Sequence, residues 1–518
     1  MSERLAAALA LLPDYLGQHV LLSAASLGLG LLISLPLALM AVRRPRLRWP
    51  LLAFAGLVQT IPSLALLALF YPLLLAISTL SRQIFGAGFS ALGFLPSLLA
   101  LTLYSMLPII RNTIAGMLGL DAAVIEAARA VGMTDRQRLL RVELPLAAPV
   151  LMAGVRTAAV WVIGAATLAT PVGQTSLGNY IFTGLQIENW ESVLFGCAVA
   201  ALLALATDQI LGQIERGVAE RQGWRIAGGG VALAAGLAAA LLPLAHARHA
   251  TYLVGAKNFS EQYILADLIQ ARIAGAGAAT EQRGDLGSVV AFRALAKGDI
   301  DAYVDYSGTL WTNIMGRTDV PPRDQLLQAL SDWMRQEQGV TVLGALGFEN
   351  AYALAMRRDR AQKLGIKSIA DLARQAPNLK IGGDLEFFSR PEWKSISEGY
   401  GLHFGEQKQY QPTFMYRAVG SGEVDVISAF SSDGRILADD LLVLADPKGL
   451  VLPYDAVLLL SPKRAGDTTL KSALQPLVGA IPIEAMREAN LMVDRSDDKK
   501  TPAEAARWLM EKLGLDKK

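Results

Sequence analysis

The stretch LDAAVIEAARAVGMTDRQRLLRVELP, Leu120–Pro145, decides how the first half of this chain is read. Residues 121–131 combine strong helix formers with apolar side chains on one face, which predicts a short amphipathic helix. Gly132 suits a helix C-terminus. Thr134 or Asp135 then caps a second short helix, and Pro145 and Pro149 open a longer apolar one. The flanks fix the setting. A bilayer core needs about 20 apolar residues in helix, and uncharged runs of that order occur at 20–42, 51–81, 83–110, 157–187 and 226–245. A further run, 192–207, reaches 214 if Asp208 is tolerated. The resulting spans are 20–42, 51–77, 92–110, 147–170, 192–214 and 226–246. The helix–Gly–helix unit therefore falls in the connection between the third span and the fourth.

Arginines give the orientation. The first, third and fifth connections carry twelve: Arg43, Arg44, Arg46 and Arg48, then Arg111, Arg129, Arg136, Arg138 and Arg141, then Arg216, Arg221 and Arg225. The N-terminal tail and the second and fourth connections carry Arg4 and Arg82. The twelve mark the cytoplasmic side, so Leu120–Pro145 faces the cytoplasm and whatever follows the sixth span lies outside. Within the spans, Arg156 and Asp208 are costly in lipid unless paired, and they are expected to pair.

Composition agrees with a division near residue 250. Across 518 residues the chain is 53% hydrophobic and 18% charged, with a net charge of +2. Residues 1–250 hold 16 Arg, no Lys and 11 acidic residues, a net of +5. The remaining 32 basic and 35 acidic residues give the second half −3, an ordinary soluble-domain balance. A wholly soluble enzyme, a disordered chain and a nucleic-acid binder with a basic face are excluded. Cys197 is the one cysteine, so no intrachain disulfide is possible. His246 and His249 have no cysteine or carboxylate cluster near them in sequence, and no metal site or cofactor is expected.

The spacing Glu126-Ala-Ala, three residues, Gly132, nine residues, Val142-Glu-Leu-Pro145 resembles the EAA loop of ABC importer permeases. Val142 stands where that family has Ile. The resemblance implies a coupling helix that docks on an ATPase through Glu126, Ala127, Ala128 and Gly132, and a permease working as a homodimer in the bacterial inner membrane. The chain has no G-x-x-x-x-G-K-[ST] motif, so an ATPase would be a separate subunit. A membrane-anchored receptor has no need of such a loop.

Arg225, the apolar run 226–244 and Ala245-His-Ala247 have the layout of a secretory signal. Retention as a sixth span with a linker over 226–250 is favoured over cleavage after Ala247. From Thr251 the pattern changes. Strand-like runs at 252–256, 301–305, 340–344, 351–356, 380–382, 424–430 and 451–460 alternate with helical patterns at 260–273, 288–297, 323–338, 359–375, 413–421 and 467–477. That alternation means α/β.

Five segments here are similar to the substrate-binding proteins of osmoprotectant and quaternary-amine ABC importers: Gly255–Gln262, Asp305–Thr309, Asn350–Leu354, Glu386–Arg390 and Phe430–Arg435. With the loop motif, the chain resembles fused permease–binding proteins for betaines, a group that includes choline, glycine betaine, carnitine and ergothioneine transporters. The implied fold is an all-α membrane domain over 1–225 followed by two α/β lobes on a hinge. Lobe one would be 251–347 plus 452–518, and lobe two 348–451. A quaternary ammonium has no N–H to donate and is held by aromatic faces, each contact worth about 0.5–2 kcal/mol. A betaine's carboxylate wants Arg or neutral donors. The resemblance makes Tyr306, Tyr352, Phe430 and Tyr454 cage candidates, with Gln262, Thr309 and Arg390 as polar contacts. Asn258 would shape the first turn and Asp433 a strand-to-helix turn. Glu386 is a candidate reader of an imidazole-type N–H. Trp311, Trp333 and Trp393 read as packing. An importer for an amino acid would differ in what these outer residues bind.

Overall fold

The structure is a computed structural model and describes residues 3–85, 89, 93–187, 189–246, 251–384, 387–410, 412–495 and 497–515. Ala247, His249 and Glu386 lie outside the described residues. The chain forms two compact units, which divide near residue 248.

In the first unit the described residues hold six helical segments long and apolar enough to cross a membrane: Ala8–Arg43, Ala65–Phe85, Phe94–Leu118, Asp135–Val172, Trp190–Ala219 and Gly223–Pro243. Two depart from the sequence reading. The first helix begins at Glu3, not near 20, because the Leu- and Ala-rich residues 5–12 continue it N-terminally. The expected second span, 51–77, is broken. Helix Pro45–Thr60 stops at Ile61, which is extended (φ −75°, ψ 125°), and a new helix runs Ser63–Phe85. Pro62 is the cause: its ring pushes the preceding residue out of the helical region.

Arg156 and Asp208 pair as a fork, Nε to Oδ1 at 3.0 Å and Nη2 to Oδ2 at 2.9 Å. Glu215, one turn and a half further along, takes Nη1 at 2.7 Å. One cation thus ties helix Leu144–Ala166 to helix Trp190–Ala219 and neutralises two carboxylates. Small residues allow the helices this close. A Cβ on Gly154 would lie 2.8 Å from the Pro108 carbonyl. Of the most apolar windows in the last two spans, 11% and 6% of residues are buried by the chain itself. Their faces are left to lipid or to another subunit.

The loop between the third and fourth spans forms the two helices read from sequence. Helix Ala122–Ala130 is capped by Asp121, which accepts from the Ala123 N–H at 2.9 Å. Gly132 takes φ +80°, a value that suits glycine. Thr134 and Gln137 make a reciprocal capping box for Asp135–Arg138. The chain then passes through one π turn, Leu139–Glu143, into the fourth span. Arg138 bridges this turn, holding Glu143 at 2.6 Å and Asp135 at 3.0 Å.

The second unit carries two five-stranded sheets. The first contains β1 (Tyr252–Lys257), β2 (Thr280–Leu286), β3 (Ala302–Tyr306), β4 (Thr341–Glu349) and β10 (Asp455–Leu460), in the order β2-β1-β3-β10-β4. The second contains β5 (Tyr352–Arg357), β6 (Lys380–Asp384), β7 (Glu406–Tyr410), β8 (Val426–Phe430) and β9 (Leu441–Val443), in the order β7-β6-β8-β5-β9. The layouts match. In each, three strands run parallel, and the strand arriving from the other lobe, β10 or β5, lies antiparallel beside them. The chain leaves the first sheet after Glu349 and returns at Asp455. The two crossings are bonded to each other: the Asn350 N–H donates to the Tyr454 carbonyl at 2.9 Å. Ser431 Oγ adds a clasp, donating to the Glu349 carbonyl and accepting from the Ala351 N–H.

Candidate functional site

Ligands of α/β sheets sit beyond the ends of the strands, where connections reverse. Here those ends carry the aromatic candidates. Tyr306 closes β3, Tyr352 opens β5, Phe430 closes β8, and Tyr454 precedes β10. The β5–β8 register places Tyr352 directly opposite Phe430. Their rings lie 5.0 Å apart, and Tyr454 stands edge-on to Tyr352 at 6.0 Å. Phe387 completes this group, 5.3 Å from Tyr352 and backed by Trp393.

Arg390 caps helix Pro391–Tyr400 and turns its guanidinium over the Tyr352 ring, 5.1 Å from the centroid. Its Nη2 donates to the Tyr454 hydroxyl at 3.2 Å, and its Nε to Glu392 at 3.3 Å. Tyr454 donates in turn to Glu392. Burial, with the Glu392 charge adding to it, raises the Tyr454 hydroxyl well above the ordinary tyrosine range. Segment Ser307–Thr309 lies against the Tyr454 ring, and a Cβ on Gly308 would come within 2.6 Å of ring carbons. Thr309 is buried on that segment.

Tyr306 sits in a second cluster. Its hydroxyl donates to the Glu261 carboxylate at 2.5 Å and accepts from Gln262 Nε2 at 3.1 Å. Glu261 also accepts from Asn350 at 3.1 Å and from Asn490 at 2.7 Å, so it joins the first lobe, a crossing strand and the C-terminal helix Ile483–Asp494. Burial raises the Glu261 carboxyl above the usual range, opposed by these hydrogen bonds. Lys257 lies 4.5 Å over the Tyr306 ring, with Asp305 at 2.6 Å from its Nζ.

Tyr352, Phe430, Tyr454 and Arg390 are therefore brought together, and Tyr306 lies with Gln262 in a neighbouring polar node. Gln262 spends both ends of its amide inside the first lobe, on Tyr306 and on the Lys257 N–H, and so positions Tyr306. Asn258 is exposed in the turn after β1. Asp433 fixes its turn by accepting from the Arg435 N–H at 2.9 Å and pairing with the Arg435 guanidinium at 2.6 Å. Phe387, Glu392 and Glu261 were not singled out from sequence. Both carboxylates sit in the first turn of a helix, where an acidic residue needs no further explanation.

On the membrane side, Glu126, Ala127 and Gly132 are exposed. Ala128 differs: at 6% exposure it faces the chain's own interior and helps seat the loop.

Residues 250–512 match the family described as the substrate binding domain of ABC-type glycine betaine transport systems, and residues 30–220 match the binding-protein-dependent transport system inner membrane component. The chain belongs to the ABC-type glycine betaine transport family. Its two parts are a permease and a substrate-binding domain fused in one polypeptide of a betaine-type ABC importer. Such chains are transporter subunits, and in this family ATP hydrolysis belongs to a separate subunit. By family, the substrate-binding domain is extracytoplasmic. An ergothioneine transport permease/ergothioneine binding protein of Helicobacter pylori is 28% identical over 90% of this chain and 84% of its own length. The choline transport permease OpuBB of Bacillus subtilis is 37% identical over 38% of this chain and 84% of its own. A crystal structure of a glycine betaine/carnitine/choline ABC transporter covers 50% of this chain and 98% of its own at 26% identity, with a TM-score of 0.46.

Proposed function

We propose that this importer takes up a trimethylammonium compound of the betaine type, with ergothioneine, glycine betaine, carnitine and choline as the candidates. The carrying observation is the ring cluster Tyr352, Phe430, Tyr454 and Phe387 with an Arg at its edge. An ammonium without N–H groups is satisfied by ring faces, and a carboxylate by a guanidinium and a tyrosine hydroxyl. Ergothioneine enters because the Helicobacter relative named for it has the same permease–binding-protein order along its chain.

The lobes close on the ligand about the crossings at Asn350 and Tyr454. The separate ATPase engages the exposed part of the Ala122–Ala130 loop through Glu126, Ala127 and Gly132 of two copies, with Ala128 seating it. Two copies surround one path in a bacterial inner membrane, and the thinly buried fifth and sixth spans face lipid or the second copy.

Isothermal titration of the full chain in lipid nanodiscs with the four trimethylammonium compounds, and with histidine, tests the substrate class. At least one of the four binds, and Tyr352→Ala weakens it about ten-fold or more, roughly 1.4 kcal/mol. Binding of histidine alone, or binding indifferent to Tyr352, would overturn the reading.

A further inference from the structure

The face of Tyr352 is already in use. The guanidinium of Arg390 lies 5.1 Å over that ring, where the proposed ligand would set its ammonium. Two cations do not share one ring face, since like charges at that spacing repel strongly once shielded from water. Either the ligand avoids Tyr352 or Arg390 gives way.

The contacts show how well Arg390 is held. Its bond to Glu392 is 3.3 Å and comes from Nε, the side edge of the fork. Its bond to Tyr454 is 3.2 Å. Both are long for charge-assisted or phenolic hydrogen bonds. Arg435 is built differently: it sits 4.1 Å over Tyr416, and Asp433 grips it at 2.6 and 3.0 Å. Lys257, over Tyr306, holds Asp305 at 2.6 Å with the pair almost fully buried. Arg390 is thus the weakly tethered cation, and it stands at the edge of the ring cluster.

We propose that Arg390 is a displaceable internal cation of the cage. It covers Tyr352 while the cleft is empty, yields the ring to the ligand's ammonium, and swings about its Glu392 tether to meet the ligand's carboxylate. This rests on the betaine-type reading and adds a selection rule to it. A ligand with both groups gives Arg390 a new partner. A bare quaternary amine evicts the guanidinium with nothing in return. The cleft therefore favours zwitterionic betaines over carboxylate-free amines.

The test uses the full chain in nanodiscs, with glycine betaine, choline and tetramethylammonium as probes, on wild type, Arg390→Gln, Arg390→Met and Arg390→Lys. Removing the charge weakens glycine betaine about ten-fold and strengthens choline and tetramethylammonium about three-fold or more. Met retains much of the arginine stem's packing, so it serves if Gln fails to fold. Lys retains a cation and gives no gain for tetramethylammonium. If choline and tetramethylammonium weaken in step with glycine betaine, Arg390 is a structural strut and the inference is wrong. If tetramethylammonium binds wild type and both neutral variants equally, it is wrong as well. Should glycine betaine and choline fail to bind any form while the neutral variants gain tetramethylammonium, the betaine reading falls and the internal cation stands.

Discussion

Two tyrosines in the outer domain each carry a buried protein cation, and the two are held in opposite ways. In the first lobe Lys257 covers Tyr306, and Asp305 takes three donors: Lys257 Nζ at 2.6 Å, the Tyr303 hydroxyl at 2.6 Å and the Tyr306 N–H at 2.8 Å. Side chains of that pair are 4% and 0% exposed. In the second lobe Arg390 covers Tyr352 with one 3.3 Å contact to Glu392 and a neutral hydroxyl as its other partner. A closed ion pair is architecture: its charge is cancelled where it stands. A loosely closed pair at the end of a strand keeps charge available for exchange. The same ring–cation motif is thus a fixed strut on one side of the cleft and a moving part on the other.

The largest expected effect breaks this contrast directly. Asp305→Asn leaves Lys257 charged and buried, and removing one partner of such a pair costs about 3–5 kcal/mol. Glu392→Gln leaves Arg390 the Tyr454 hydroxyl and is expected to cost about 1–2 kcal/mol. Denaturant unfolding of the full chain, followed by the fluorescence of Trp311 and Trp393, measures both. Equal losses would erase the distinction between strut and moving part.

A second effect sharpens the boundary between the lobes. Asp494, on a first-lobe helix, accepts from Ser260 at 2.5 Å, and burial pushes its carboxyl up from 3.8 to about 6, with Arg435 pulling the other way and Asp433 adding to the rise. An acid whose folded pKa is raised contributes stability that is present below its unfolded value and lost as pH rises through the folded one. Between about pH 4 and pH 6.5 the outer domain should lose up to about 3 kcal/mol from this group. In Asp494→Asn that part of the slope disappears, and a smaller decline of the same sign remains from Glu261, whose carboxyl burial also raises. Thermal unfolding of both forms across that range reads the difference. Parallel profiles would show that Asp494 does not titrate there.

What the sequence disclosed follows the same line between architecture and exchange. Strands β1, β3, β5, β8 and β10 are rich in apolar residues, and their periodicity is plain. Strands β2 (TEQRGDL) and β7 (EQKQY) are polar edge strands, and no apolar alternation marks them. In the membrane half, charge placement announced the Arg156–Asp208 pair, whereas Glu215 looked like an ordinary residue at the water boundary. Apolarity alone drew one span across 51–77, and Pro62 divides it. In the cleft, Tyr352, Phe430 and Tyr454 carry their role in their chemistry. Glu261 and Glu392 do not, because their roles come from what tertiary folding sets beside them: Tyr306 and Asn490 for one, Tyr454 and Arg390 for the other.

The smallest expected effect concerns Gly308, which lets the first lobe touch the moving side. A Cβ there would meet Tyr454 Cε2 and Cζ at 2.6 Å, so the ring must shift. Overpacking of this kind costs about 1–3 kcal/mol, and the better helix propensity of alanine returns up to about 1 kcal/mol. Gly308→Ala should therefore lose about 1–2 kcal/mol in denaturant unfolding. Its effect on Arg390 is more telling than its effect on stability. Tyr454 is the hydroxyl partner of Arg390 and also donates to Glu392, so a displaced ring loosens the tether from both ends. Tetramethylammonium binding should then rise in Gly308→Ala, in the direction of Arg390→Gln but by less. Asp305→Asn, on the strut side, should leave it unchanged wherever that variant stays folded. A gain in Asp305→Asn equal to that in Gly308→Ala would mean that any loosening of the cleft admits the cation. Arg390 would then have no special place over Tyr352.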